Sequence, residues 1–394
     1  MKKKRIAIGI WLALVLLLPG RVMGQEAEAA PEEKTEATDM EASDYMEAIF
    51  EELRLEELDA YVKEELPQKI TFSDMVVQIA DEGLDSLDAE TIGTWIFDLF
   101  FYEISAAKPL FIQMLMLATL FAVINRFFVQ KKGYVMDMSF FVVYGAMMLL
   151  LMQSFLLVSE VVEDGVQEVC TFLSTLVPAY ASTLLLSGNV SSAGCFYELA
   201  FGLICLLEWA MKVLFIPGIH IFVLLVLLDH LFEEERFTRL AELLEGGMRA
   251  LLKVSVGGVF GLGVVQSLLT PARDRISQST VLKSLSVLPG VGNSFHFAEE
   301  VVLGCGMLVK NSVGIAGLVI LVVLCLTPIV KVLSFHFLYK VLAAVLQPVA
   351  DKRIAGCVQG ISKASGLYLR LMTDTMLMFV ITISMVTAST SFVY

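Results

Sequence analysis

The sequence predicts an all-α, polytopic helical membrane protein, with a small helical region outside the bilayer at its amino-terminal end and an internal repeat. Three observations carry that reading. Of 394 residues, 57% are hydrophobic and only 18% are charged, which is far from the balance of a water-soluble domain. The net charge of −14 is local, because 25–65 alone holds 16 acidic and 3 basic residues and the rest is nearly neutral. The apolar residues come in long runs flanked by Gly and Pro, such as 316–330, which only Pro328 interrupts. Runs of this kind need lipid as their solvent.

The elements follow in order. Lys2-Lys3-Lys4-Arg5 is a positive n-region, 6–18 a short apolar core, and Pro19-Gly20 a break before the small residue Gly24. This is the pattern of a secretory signal peptide over 1–24. The alternative is an uncleaved anchor, which the shortness of the apolar core disfavours, since a span needs about 20 residues. Either way the following segment is delivered to the outer side of the membrane.

Residues 25–105 form an acidic, partly disordered helical region outside the membrane. The stretch 25–44 is rich in Glu, Ala and Thr and has almost nothing to bury. From Tyr45 the spacing of Ile49, Leu53, Leu58 and Val62 predicts a helix that Pro67 stops. A second helix is predicted over 72–80, with Thr71 or Ser73 as its cap. A third, over 89–104, carries Trp95, Phe97, Phe100, Phe101 and Tyr102, an aromatic density suited to the membrane interface.

Residues 106–166 hold two predicted spans. One covers 109–128 and is followed by Lys131 and Lys132; the other covers 138–158 and is followed by Glu160, Glu163 and Asp164. With the amino-terminal region outside, the basic loop falls inside and the acidic one outside, as the positive-inside rule requires.

The remainder looks duplicated, as repeat 1 over 167–277 and repeat 2 over 278–394. Gln167, Pro178 and Pro217 recur 111 residues later as Gln278, Pro289 and Pro328, and Arg239-Leu240-Ala241 resembles Arg353-Ile354-Ala355. Each unit is expected to hold a Pro-broken apolar element, two spans, a basic amphipathic helix and a final span. In repeat 1 these fall at 168–187, 195–213, 214–232, 234–249 and 250–269; in repeat 2 at 279–298, 308–329, 331–347, 350–364 and 366–390. Parallel repeats with about ten spans place both basic helices at the cytoplasmic surface, whereas inverted repeats with three spans each would not.

Chemistry-bearing constellations are few. His220, His230, His296 and His336 form no metal motif, and the six cysteines lie in or beside apolar segments without a Cys-x-x-Cys. Gly257 and Gly261 lie inside an apolar helix and read as a close-packing face rather than a phosphate loop. No catalytic set, cofactor motif or nucleic-acid stripe appears, which points to a non-enzyme. The candidate polar residues inside the membrane are Glu198, Glu208, Lys212, Lys310, Arg370 and Asp374. Glu208 with Lys212 and Arg370 with Asp374 are each four apart, so each pair is expected to meet on one helix face. Glu198, Lys310, Lys331 and Lys340 have no such local partner in the sequence. Their functional reading is a polar path or an inter-subunit contact, against interfacial snorkelling.

The run Leu308-Val309-Lys310-Asn311-Ser312-Val313-Gly314-Ile315, with 339–348 and Ile361-Ser362-Lys363-Ala364, resembles the stage III sporulation protein AE family. So do Leu176-Val177-Pro178 and Leu186-Ser187-Gly188-Asn189, and the order of signal peptide, Glu-rich helical region and spans. The resemblance covers essentially the whole mature chain. It implies one component of the multi-protein channel or feeding-tube complex that the mother cell builds in its membrane around the engulfed forespore. Its implied partners are the other membrane proteins of the stage III A operon and stage II sporulation protein Q, with homo-oligomerisation open. The family supplies no catalytic residues. The competing reading is a self-sufficient secondary transporter of a small solute.

Overall fold

The computed structural model describes residues 58–59, 72–73, 76–77, 89–128, 134–231, 236–285, 292–348 and 350–391. The predicted signal peptide, the acidic stretch 25–57, the stop at Pro67, the Lys131–Lys132 loop and Pro289 lie outside these residues. All regular structure within them is helical. Helix α1 runs Ala89–Phe128, α2 Tyr134–Leu186, α3 Val190–Ala210, α4 Ile216–Asp229, α5 Thr238–Leu285, α6 Gly292–Leu346 and α7 Lys352–Ser391. Six segments are long and apolar enough to cross a membrane: Ile96–Leu120, Phe141–Leu186, Val190–Asp229, Thr238–Leu269, Met307–Leu346 and Lys352–Ser389.

Several of these are continuous where two shorter elements are expected from the sequence, so in place of about ten separate spans the described residues hold six helical segments long and apolar enough to cross. The acidic stretch after Val158 shows why. Leu151, Phe155, Val158, Val162, Val166 and Val169 are buried at helical spacing straight through it, while Glu160, Glu163, Asp164 and Gln167 fall on the other side. The apolar seam never loses register, so the chain has no reason to turn. Pro109, Pro178 and Pro328 likewise lie inside helices. The divisions at 166 and 277 fall within α2 and α5.

Pro217 is handled differently. A π turn, Met211–Phe215, precedes it, and the Ile216 N–H donates to the Met211 carbonyl. The widened turn makes room for the proline ring within a helical run that is otherwise unbroken from Val190 to Asp229. The break expected between 213 and 214 is therefore a bulge and not a loop.

Two turns join the helices sharply. Gly188 has φ 78°, the left-handed conformation that glycine adopts freely, and Asn189 N–H then donates to Leu184 O at 2.9 Å. Asp229 crosses the next connection, accepting from Phe237 N–H at 2.6 Å and from Thr238 Oγ1 at 2.5 Å, and so caps the start of α5.

Helices α6 and α7 form the centre, with more than half of their most apolar stretch buried, against less than a quarter for α1 and α5. Helix α2 runs antiparallel to α6. Gly165 faces Pro328, Gly317 receives Leu176, and Gly314 receives Tyr180. The same helix runs parallel to α7, and α4 runs antiparallel to α7, with Val226 against Gly360 and His230 against Gly356. Helix α1 lies on α6 through Phe111, whose ring is 5.1 Å from that of Tyr339. Helix α5 lies on α7 with Gly263 against Met385. Gly257 and Gly261, expected to mediate close packing, meet nothing within 4 Å. That role falls to Gly263, because its face and not theirs points toward α7.

Before α1 in the chain, Leu58, Phe72 and Val76 are buried, and Asp59 accepts from the N–H and the hydroxyl of Ser73 at 2.8 Å each. Ser73 thus acts at the predicted helix start as a donor to a distant carboxylate.

Candidate functional site

The polar groups inside the bundle fall into two sets. The first is a ladder of hydroxyls along α2. At one end Tyr144 donates to Leu227 O at 2.5 Å and lies 3.0 Å from Cys357 Sγ. Further along, Tyr339 donates to Ser154 Oγ at 2.7 Å. Ser159 Oγ is 2.8 Å from Tyr368 OH and 3.2 Å from His220 Nε2. At the far end Tyr180 OH is 2.6 Å from Thr387 Oγ1. Each pair satisfies a group that would be costly to leave alone in apolar surroundings, and within a membrane each contributes roughly 0.6 kcal/mol or somewhat more. These bonds fix the register of α2 against α4, α6 and α7. Their hydroxyls are buried and partnered, so they present no nucleophile to a substrate.

The second set lines a cleft of about 1030 Å³ at the end of the bundle where α6 turns into α7. Five cations face it: Arg249 from α5, Lys340 from α6, and Lys352, Lys363 and Arg370 from α7. His230 and His336 join them, and Ala343, Ala344, Ala355 and Gly356 keep the walls low. Glu245 pairs with Arg249 and lies 3.9 Å from Lys363, and Asp374 takes Arg370 at 3.3 Å. Helix α7 builds one side because Lys352, Gln359, Lys363 and Arg370 recur on one of its faces. Among the described residues, no group of three or more His, Cys, Asp or Glu converges as a metal site needs.

The candidates named from the sequence separate accordingly. Arg370 and Asp374 meet as expected from their spacing. Glu208 and Lys212 are both exposed, and no ion pair within 4.0 Å joins them. The backbone between them is helical, with Ala210 and Met211 both in the αR region, so the spacing permits a pair that these two exposed side chains do not make. Glu198 is exposed on α3, and Lys310 is fully buried on α6. Lys331, without a neighbour in its own helix, lies 4.0 Å from Glu103 of α1. Lys340 is exposed and belongs to the cleft. The cleft as a whole is not legible in the sequence, although the basic amphipathic stretch over 350–364 signals one of its walls.

A bundle with six helical segments long and apolar enough to cross a membrane, pinned by buried hydroxyl pairs and open at one basic end, defines a multi-pass α-helical membrane protein. The family model described as Stage III sporulation protein AE matches residues 70–390. The Stage III sporulation protein AE of Bacillus subtilis (strain 168) is 27% identical over 297 residues, covering 74% of this chain and 73% of that protein. The chain belongs to the stage III sporulation protein AE family, a family of sporulation proteins. No solved structure matches it.

Proposed function

We propose that the chain is a non-enzymatic, structural or permease-like subunit of the channel complex between mother cell and forespore. In this reading it lies in the mother-cell membrane around the forespore, with its amino-terminal region outside the cytoplasm. Its partners are the other membrane proteins of the stage III A operon and stage II sporulation protein Q. Family membership supports the process, and one structural observation supports the role of a subunit. Helix α2 has 53 residues, about 80 Å of helix, against a hydrocarbon core of about 30 Å. Its large exposed apolar side chains run from Met138 to Leu157, with Leu185 alone beyond them, and that run is about 29 Å of rise, the height of one bilayer. Past it α2 continues to Leu186 with Glu160, Glu163, Asp164, Gln167, Thr171 and Ser174 on its exposed side. In this reading that polar half stands clear of the hydrocarbon and offers other subunits a surface to meet, which a solitary transporter does not need.

The test is to recover the tagged full chain from sporulating cells after membrane-permeant crosslinking, and in parallel to reconstitute it alone in liposomes. Crosslinks to the other stage III A proteins, with no solute flux from the chain alone, are expected. Sustained flux by the isolated chain without any crosslinked partner overturns the proposal in favour of a self-sufficient transporter.

A further inference from the structure

We propose that the basic cleft at the α6–α7 end is a binding site for an anion carrying at least two phosphate groups. Five cations from three helices converge on one cavity of about 1030 Å³. Three of them are partly neutralised, since Glu245 serves Arg249 and Lys363, and Asp374 serves Arg370. Lys340 and Lys352 have no carboxylate within 4.0 Å among the described residues, and both are exposed inside the cleft. Charges gathered in this way repel one another, and an anion bound among them removes that cost while gaining charge-assisted hydrogen bonds.

The ligand class follows from the spacing. Lys352, Lys363 and Arg370 lie on one face of α7, separated by about 16 Å and then about 10 Å of helical rise. A single phosphate reaches one of these positions at a time, whereas an elongated molecule with two or more phosphate groups reaches two. Between the cations the wall is small and uncharged, at Ala343, Ala355 and Gly356, and accommodates the linking part of such a molecule. Two sources share this chemistry. One is a soluble diphosphate compound, and the other is the two-phosphate headgroup of an anionic lipid.

The experiment uses the purified full chain in nanodiscs of phosphatidylcholine, with the thermal unfolding midpoint as readout, because a ligand bound to the folded state raises that midpoint. Fructose 1,6-bisphosphate, which carries its phosphates at opposite ends, is titrated in one arm, and cardiolipin is built into the nanodisc in the other. Lys340→Gln with Lys352→Gln is compared with Arg239→Gln with Lys253→Gln, which removes equal charge from exposed α5 positions outside the cleft. Lys340→Arg with Lys352→Arg keeps the charge.

A rise with either probe is expected. It should weaken about tenfold in apparent affinity in the cleft Gln variant, persist in the α5 variant, and return in the Arg variant. A rise with the bisphosphate alone assigns the soluble source, and one with cardiolipin alone the headgroup. Both results support the site. No rise with either probe overturns it, as does an equal loss in the cleft and α5 variants. All four substituted lysine and arginine side chains are exposed, so the variants keep the packed interior. If any variant is unstable, a direct binding isotherm for the unsubstituted chain decides: saturable binding of either probe supports the site, and its absence overturns it.

Discussion

The crossing of α2 and α6 can be tested at one atom. A Cβ added at Gly165 would sit 2.8 Å from Pro328 Cβ and 2.9 Å from Pro328 Cγ. Ordinary contacts begin near 3.4 Å, so the two helices must part by about 0.6 Å at their closest approach. A proline ring cannot rotate away, unlike the flexible Met372 tip that is also near, at 3.2 Å. Overpacking of this kind costs about 1–3 kcal/mol. Against it, Gly→Ala inside a helix gains about 1 kcal/mol of propensity.

Gly246, in the interior of α5, meets nothing within 4 Å. Gly246→Ala therefore carries the propensity gain alone, and its difference from Gly165→Ala isolates the steric cost. For a chain of this size about 2 °C corresponds to 1 kcal/mol, which puts Gly165→Ala about 2–6 °C below Gly246→Ala. The assay is thermal unfolding of the full chain in detergent, followed by tryptophan fluorescence at one fixed scan rate because such unfolding is seldom reversible. If the two variants melt together, or Gly165→Ala melts higher, α2 does not cross α6 at Gly165 and Pro328.

Four other outcomes are expected. Tyr180→Phe with Thr387→Val should give a double-mutant coupling of about 0.6–1.5 kcal/mol in the same unfolding assay, and zero coupling would remove the α2–α7 link. The cycle of Arg370→Ala with Asp374→Ala should yield about 1 kcal/mol or less, since Arg370 is 38% exposed; a coupling of several kcal/mol would mean a far more buried pair. In a cysteine-free background, single cysteines at Gly188 and Asp351 should label from opposite sides of the membrane with an impermeant thiol reagent, Gly188 from outside. Labelling of both from one side contradicts the single crossing of each long helix. Leu58→Asp should lower accumulation of the chain and spore yield, because Leu58 is fully buried, whereas deletion of 26–38 should leave both unchanged; the reverse pattern would place the important surface in the acidic stretch.

The sequence alone determined the class, because the affinity of a chain for lipid is a property of its composition and depends little on how its segments meet. It also determined which residues could form the α2 seam, since Leu151, Phe155, Val158, Val162 and Val166 keep helical spacing whatever lies opposite them. It could not determine that the seam continues past Glu160, Glu163 and Asp164. A linear reading sees charge there and infers a loop, while only packing against α6 and α7 shows that these carboxylates occupy the other side of an unbroken helix. The same limit explains the pairs. Arg370 and Asp374 were legible because four residues of regular α-helix bring them together and Asp374 is largely covered, whereas Glu208 and Lys212, at the same spacing, are both exposed and make no pair. Lys331 found Glu103 on a different helix, and the five cations of the cleft came together from three. Contacts within one helix follow from covalent spacing, but contacts between helices depend on which faces the whole bundle buries, and that is settled only when all of them pack at once.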